Sequence, residues 1–188
     1  MHILLNSTVD VNAGNIMHYF SAQDEFTSRN LVEKAELRNL VQGLDSGKIL
    51  SLFKQCSNWP NLLKFLSLSI ACRPDLKSQI YNVLEENLMQ ALQANDSDSF
   101  VKFLLLNRQA SLEPEGKFAA SYTKFFEHNF ASNKEVLGCQ KRLTFLFQIL
   151  TELVPFEPAA ILVTHLNHQL SVPQNLRDTA QGKNELRY

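Results

Sequence analysis

The amino-acid sequence predicts an all-α domain organised as a short stack of helical hairpins. Apolar residues recur at helical spacing from Ser28 to Leu170, and prolines or capping residues precede most of these apolar stretches. The 188 residues include only six Gly and six Pro, whereas a β-sandwich or barrel of this length would need more turn residues. A non-repeating helical bundle is the alternative arrangement of the same helices.

Three segments are expected along the chain. Residues 1–27 form an irregular N-terminal segment, because residues such as Asp10 and Gly14 favour a loop. Residues 28–170 form the helical domain, and residues 171–188 form a polar C-terminal tail. This layout indicates a fragment or a subunit of a larger intracellular assembly.

The first two helices follow Ser28. An apolar stripe that includes Leu31 predicts a helix ending close to Gly43. A second helix is expected from Ser46, and it stops before Pro60 because proline disfavours helical geometry in the residue that precedes it.

Prolines mark the starts of later helices. The backbone N–H of the first helical residue has no partner within the helix, so a proline, which lacks this N–H, loses no hydrogen bond there. Helix starts are predicted at Pro60, Pro74, Pro114 and Pro158. Ser97 or Asp98 is expected to cap a further helix that carries Val101, Leu104 and Leu105. The capping box Ser132-Asn133-Lys134-Glu135 is expected to start the longest helix, which would run from Asn133 to about Val154.

The inner stripes of these helices define a predicted core. Its representative members are Leu66, Leu84, Leu104, Phe125, Leu146 and Leu162. A Phe-rich cluster adds to it, formed by Phe118, Phe125, Phe126, Phe130, Phe145 and Phe147. We interpret this cluster as core from helices buried on two sides, with a hydrophobic groove for a partner helix as the alternative.

Short sequence patterns recur along the helices. Lys64-Phe65-Leu66 followed by Pro74 is repeated as Lys102-Phe103-Leu104 followed by Pro114, and more loosely as Thr144-Phe145-Leu146 followed by Pro158. The offset is roughly 38 to 44 residues, a period typical of two-helix solenoid units. Over residues 46–170 the chain resembles HEAT- or armadillo-like repeat arrays in period and layout. No family-defining motif accompanies that resemblance.

The charge balance disfavours nucleic acid as the main ligand. Eighteen basic residues are spread among 19 acidic ones, for a net charge of −1, and no basic run is present. The three cysteines, Cys56, Cys72 and Cys139, are widely separated and contain no CxxC pair, which favours reduced core thiols inside the cell. No stretch of about 18 apolar residues predicts a membrane span.

No pattern in the sequence predicts catalysis, a cofactor or a metal. GxGxxG, GxxxxGK[ST], HExxH and GxSxG are all absent. His165 and His168 could share a metal ion only with a third ligand that the sequence does not identify, so we expect His165 to be a hydrogen-bonded core residue. Cys139 beside Lys141 and Arg142 lacks an identifiable base, and we expect it not to be a nucleophile.

The function that fits these features is a non-catalytic protein–protein interaction module that binds a peptide or a helix. A helical domain that binds nucleic acid through a local basic patch is the alternative. Cytoplasm and nucleus are both compatible with the sequence. If the hairpins stack, the outward positions of successive helices form a polar ladder of candidate partner-binding residues: Asn82, Glu86, Lys124, Glu127, Asn167 and His168.

Overall fold

The computed structural model describes residues 16–31, 35–55, 58–114, 117, 121–131, 139–168 and 170. All regular structure in these residues is helical, which confirms the predicted all-α class. The α-helices are α1 (Ala35–Gly43), α2 (Ser46–Gln55), α3 (Trp59–Cys72), α4 (Lys77–Ala94), α5 (Ser97–Ser111), α6 (Tyr122–Phe126), α7 (Gln140–Leu153) and α8 (Ala159–Asn167). Shorter elements are the 3₁₀ turns η1 (Met17–Phe20), η2 (Gln23–Phe26), η3 (Ser28–Leu31) and η4 (Val154–Phe156), and a π-helical turn at Glu127–Ala131.

Capping side chains explain where several helices begin. The Asn58 side chain accepts a hydrogen bond from the Asn61 amide at the start of α3, and Pro60 lies in the first turn of that helix, as predicted. Asp96 caps α5 by accepting from the Ser99 amide, so the cap lies one residue before the predicted Ser97. Helix α8 begins directly after Pro158, also as predicted.

Two predicted helix starts are wrong. Pro74 lies in a turn, and α4 begins only at Lys77. Pro114 also lies in a turn, and the next described helix, α6, begins at Tyr122. Proline fits a turn as well as a first helical turn, so its presence alone does not set a helix start.

The helix predicted from Asn133 to Val154 is shorter than expected. Cys139 has extended backbone angles, φ −119° and ψ 126°, and α7 begins at Gln140. The capping box at 132–135 lies outside the described residues. Among the described helices the longest is α4, with 18 residues.

Helix α5 runs through the centre of the fold. Every residue from Phe103 to Ser111 is buried, including the polar ones. Helix α4 packs along α5 as an antiparallel hairpin, closed by Asn95 in the left-handed conformation, φ 55°. Helix α3 packs on α5 and is itself covered by α1, α2 and the turns η2 and η3.

The predicted core is largely confirmed. Leu66, Leu84, Leu104, Phe125 and Leu146 are buried. Leu162 is only half-buried, and its neighbour Ile161 takes the inward position, so that prediction is wrong. From the Phe-rich cluster, Phe125, Phe126 and Phe130 are buried, Phe145 and Phe147 are partly buried against the core, and Phe118 lies outside the described residues.

The packing is that of a helical bundle, and it does not show a regular repeat. In a solenoid each unit contacts only its neighbours in sequence. Here η1 and η2 contact α5, and η1 also contacts η4, which lies far along the chain. None of the described helices is both long and apolar enough to cross a bilayer.

Candidate partner-binding surface

A buried ion pair lies beneath the edge formed by α6 and α8. Arg108 on α5 donates a hydrogen bond to the Glu157 carboxylate, and the two side chains are only 3% and 1% exposed. The Arg108 guanidinium also donates to the backbone carbonyl of Phe20 at 3.1 Å. It lies between two rings, 5.3 Å from the centre of Phe20 and 5.2 Å from that of Tyr122. Arg108 on α5 therefore contacts η1 through Phe20, Glu157 just after η4, and α6 through Tyr122.

Tyr122 connects this ion pair to α8. Its hydroxyl oxygen lies 2.9 Å from Nε2 of His165, and the two rings pack edge to face with centres 5.7 Å apart. Burial raises the pKa of Tyr122 and, with repulsion from Arg108, lowers the pKa of His165 to about 4. His165 is therefore neutral at physiological pH and serves as a hydrogen-bonded packing residue, as predicted.

Four of the six predicted binding residues lie along the α6–α8 edge. Lys124 is exposed on α6, and Asn167 is exposed on α8. Glu127, just after α6, contacts His168, which directly follows α8, with Oε1 and Nδ1 2.9 Å apart. Thr123 and Thr164 join the two helices at 3.1 Å between their hydroxyl oxygens.

Asn82 and Glu86 are placed elsewhere. Both are exposed on α4, whose main packing partners are α5 and α7. The adjacent Glu85 is half-buried and pairs with Lys117, with Oε1 and Nζ 2.8 Å apart. The tertiary packing thus divides the six residues between the α6–α8 edge and the outer face of α4.

The sequence reasoning missed the apolar outer face of α8. Val163 is 52% exposed and Leu166 is 60% exposed, and they are the strongly exposed large hydrophobic residues in the described part of the chain. A signal for this face was available, because α8 contains no Asp, Glu, Lys or Arg. A helix at the edge of a fold without charged residues indicates apolar contacts on both sides.

The α6–α8 edge carries polar groups suited to binding a partner. Within the described residues, these groups do not form a catalytic site. His165 faces Tyr122 while His168 pairs with Glu127, so the two histidines serve different contacts. No group of three or more His, Cys, Asp or Glu residues suited to a metal occurs in the described ranges. Backbone hydrogen bonds from Arg142 and Lys141 lower the pKa of the half-buried Cys139 thiol.

The N-terminal turns are held against α5 and the turn that follows it by buried polar contacts. Both carboxylate oxygens of Glu113 accept hydrogen bonds from the Ser28 amide, at 3.0 and 3.3 Å, and the Ser28 hydroxyl also donates to Glu113. Gln23 donates to the Leu105 carbonyl at 2.8 Å. Neither contact was predicted, since the partners lie more than 80 residues apart, with separations of 85 and 82.

Comparison with known proteins identifies relatives of most of the chain. A family model described as "Fanconi anaemia group A protein N terminus" matches residues 24–181. The chain is 36% identical over 121 residues to the Fanconi anemia group A protein of Homo sapiens, covering 64% of this chain and 8% of that protein. It is 32% identical over 117 residues to the Mus musculus homolog, covering 62% and 8%. The chain thus spans about 8% of the length of these curated relatives, and no solved structure matches it.

Proposed function

Because this chain belongs to the family of Fanconi anaemia group A protein N termini, we propose that it is a non-catalytic protein-interaction module of the Fanconi core complex, a DNA-repair assembly. The family match over residues 24–181 carries this proposal, since it includes every described element from η3 to α8. A role in that complex also implies work in the nucleus.

Within this role, the α6–α8 edge is the proposed partner-binding surface. Lys124, Glu127, Asn167 and His168 present charged and polar groups beside one another there, and their helices are supported from below by the Arg108–Glu157 pair. Polar groups on well-packed helices can bind a partner without loss of folding. Asn82 and Glu86 on α4 form a second proposed patch.

The partner is expected to be a peptide or a helix of another protein subunit. Exposed charges give an interaction that weakens with ionic strength, because charges are screened beyond about 8–10 Å at physiological salt. The stack of helical hairpins predicted over residues 46–170 remains a proposal. It is supported by the antiparallel α4–α5 hairpin and by the period of the sequence patterns.

The test is incorporation of a full-length protein into the core complex. A triple variant, Lys124→Ala, Glu127→Ala and His168→Ala, is expected to reduce co-purification of the other subunits at least about fivefold while its thermal unfolding stays unchanged. A matched α4 variant, Asn82→Ala with Glu86→Ala, separates the two patches. If both stable variants are incorporated at the wild-type level, the proposed surfaces are wrong.

A further inference from the structure

The buried guanidinium of Arg108 connects η1 with the α6–α8 edge. It donates to the Phe20 carbonyl at 3.1 Å and lies 5.3 Å from the centre of the Phe20 ring, which belongs to η1. On its other side it lies 5.2 Å from the centre of the Tyr122 ring, at the start of α6. It also pairs with Glu157, which lies between η4 and α8. Three elements that are far apart in the sequence therefore share one buried cation.

Further contacts join the same elements. The turn η1 packs directly against η4, which leads into α8. The Tyr122 hydroxyl oxygen lies 2.9 Å from Nε2 of His165 on α8, and the His165 and Phe126 rings pack with centres 4.8 Å apart. A continuous series of side-chain contacts therefore runs from Phe20 through Arg108 and Tyr122 to α8.

The elements of this region are too short to be stable alone. The turn η1 has four residues, α6 has five and α8 has nine. Isolated helices shorter than about 12 residues are marginal in water, so these elements depend on their packing. Among the described elements, α8 packs mainly on α6, and α6 packs on α5 around Arg108. We expect this region to open at a lower free energy than α4, which has 18 residues and packs along α5.

We propose that η1 and the α6–α8 edge open as one cooperative unit, so that displacement of η1 from Arg108 also opens the edge. Removal of η1 takes away one wall of the buried Arg108–Glu157 pair and so weakens the support of α6 and α8. Because coupling between two sites is reciprocal, release of α8 weakens the docking of η1 by the same factor. The consequence for binding rests on the proposed function: the polar residues of the edge keep their mutual positions only while η1 is docked.

Amide hydrogen exchange of the 188-residue chain, followed by mass spectrometry in dilute urea, tests this cooperativity. Peptides from η1 and α8 are compared with peptides from α4, which serve as the reference for global unfolding. We expect η1 and α8 to share one opening free energy and one urea dependence, with protection factors at least about tenfold lower than those of α4. Clearly different protection of η1 and α8, or protection of both equal to that of α4, would overturn the proposal.

Substitutions at the two ends of the contact series test the coupling directly. Phe20→Ala removes the ring that packs on Arg108, and His165→Ala removes the contacts of α8 with Tyr122. Each change is expected to lower the protection of both η1 and α8 by the same factor, at least about tenfold, because a buried side chain of the unit is truncated. A response confined to the substituted element means that the two elements open independently, and the inference is then wrong.

Milder substitutions cover the case in which an alanine variant does not fold. Tyr122→Phe keeps the ring beside Arg108 and removes only the hydroxyl contact with His165. Phe20→Leu keeps most of the apolar volume. Each is expected to lower the protection of η1 and α8 together by at least about threefold, and a change in only one of the two elements contradicts the coupling.

Ser28→Ala is the matched control within the N-terminal turns. It removes the Ser28 hydroxyl from Glu113 and leaves the contacts of Arg108 in place. The protection of α8 should stay within about twofold of the wild type. Loss of α8 protection equal to that in Phe20→Ala would show that the coupling does not run through Arg108, which also overturns the proposal.

The exchange measurement requires no partner, so it separates this inference from the proposed function. Coupled exchange together with normal incorporation of the triple variant at Lys124, Glu127 and His168 would refute the proposed binding surface and leave the cooperative unit intact. Uncoupled exchange together with impaired incorporation of that variant would refute the cooperative unit alone.

Discussion

Loss of the Arg108 side chain should strongly destabilise this fold. It pairs with Glu157, donates to the Phe20 carbonyl, and lies between the rings of Phe20 and Tyr122. Arg108→Met keeps much of the volume and removes the charge. We expect the free energy of unfolding to fall by about 4 kcal/mol near neutral pH, because breaking a buried ion pair on one side costs about 3–5 kcal/mol.

That magnitude combines several terms that do not simply add. The unpaired Phe20 carbonyl contributes about 1–3 kcal/mol and the lost ring contacts about 0.5–2 kcal/mol. In the variant, packing of the methionine side chain and protonation of the Glu157 carboxylate offset part of the loss in unfolding free energy. A loss of this size is a large share of the about 5–15 kcal/mol by which native proteins are stable.

The destabilisation should depend on pH. Burial raises the pKa of Glu157, and Arg108 partly opposes that rise. Without Arg108 the folded-state pKa of Glu157 rises further above its unfolded value. The variant therefore loses stability as the pH rises through that folded-state pKa. The difference from wild type is therefore expected to be larger at pH 8 than at pH 5.

Urea unfolding followed by far-UV circular dichroism measures both effects. Arg29→Met is the matched control at an exposed arginine and should change stability by less than about 0.5 kcal/mol. The double variant Arg108→Met with Glu157→Leu should recover most of the loss, because it leaves no unpaired buried charge. A loss below about 1 kcal/mol at both pH values would refute the role assigned to Arg108.

Other substitutions probe the remaining contacts. His165→Gln should remove one acid-sensitive contribution to the free energy of unfolding. The folded-state pKa of His165, about 4, lies below the unfolded value, so this contribution is present above about pH 6.5 and is lost as the pH falls through 4. The wild-type advantage over the variant should therefore shrink by up to about 3 kcal/mol between pH 7 and pH 4 in urea titrations, and parallel curves would count against it. Leu104→Ala should cost about 2–5 kcal/mol and the half-buried Leu162→Ala clearly less, by thermal unfolding; equal losses would mean that the register of α8 is misassigned. Glu113→Ala should release Ser28 and speed proteolytic cleavage in the N-terminal turns at least about fivefold, with unchanged cleavage as the contrary result.

Local signals in the sequence predicted the helical class and several helix ends. Asn58 and Pro60 act on the first turn of α3, and Pro158 acts directly before α8. Each of these effects involves residues three or fewer positions apart, so the sequence contains the whole cause. Pro114 shows the limit of such signals, because a turn and a helix start both accept its fixed φ angle.

The rotation of α8 about its axis could not be predicted from periodicity. Apolar residues occupy both faces of this helix, so Leu162 and Ile161 were equally plausible core residues. Packing against α6 selected Ile161 and Thr164, and it left Val163 and Leu166 exposed. A helix with apolar residues on several faces receives its register from its neighbours.

The sequence by itself determined the all-α class, the mixed surface charge and the lack of a recognisable catalytic motif. The tertiary structure alone decided which distant residues meet. Arg108 and Glu157 are 49 positions apart, and Ser28 and Glu113 are 85 apart. In a sequence a charged residue predicts a solvated position, and only burial in a closed fold converts it into a structural pair, because the partner arrives through long-range packing that no local pattern encodes.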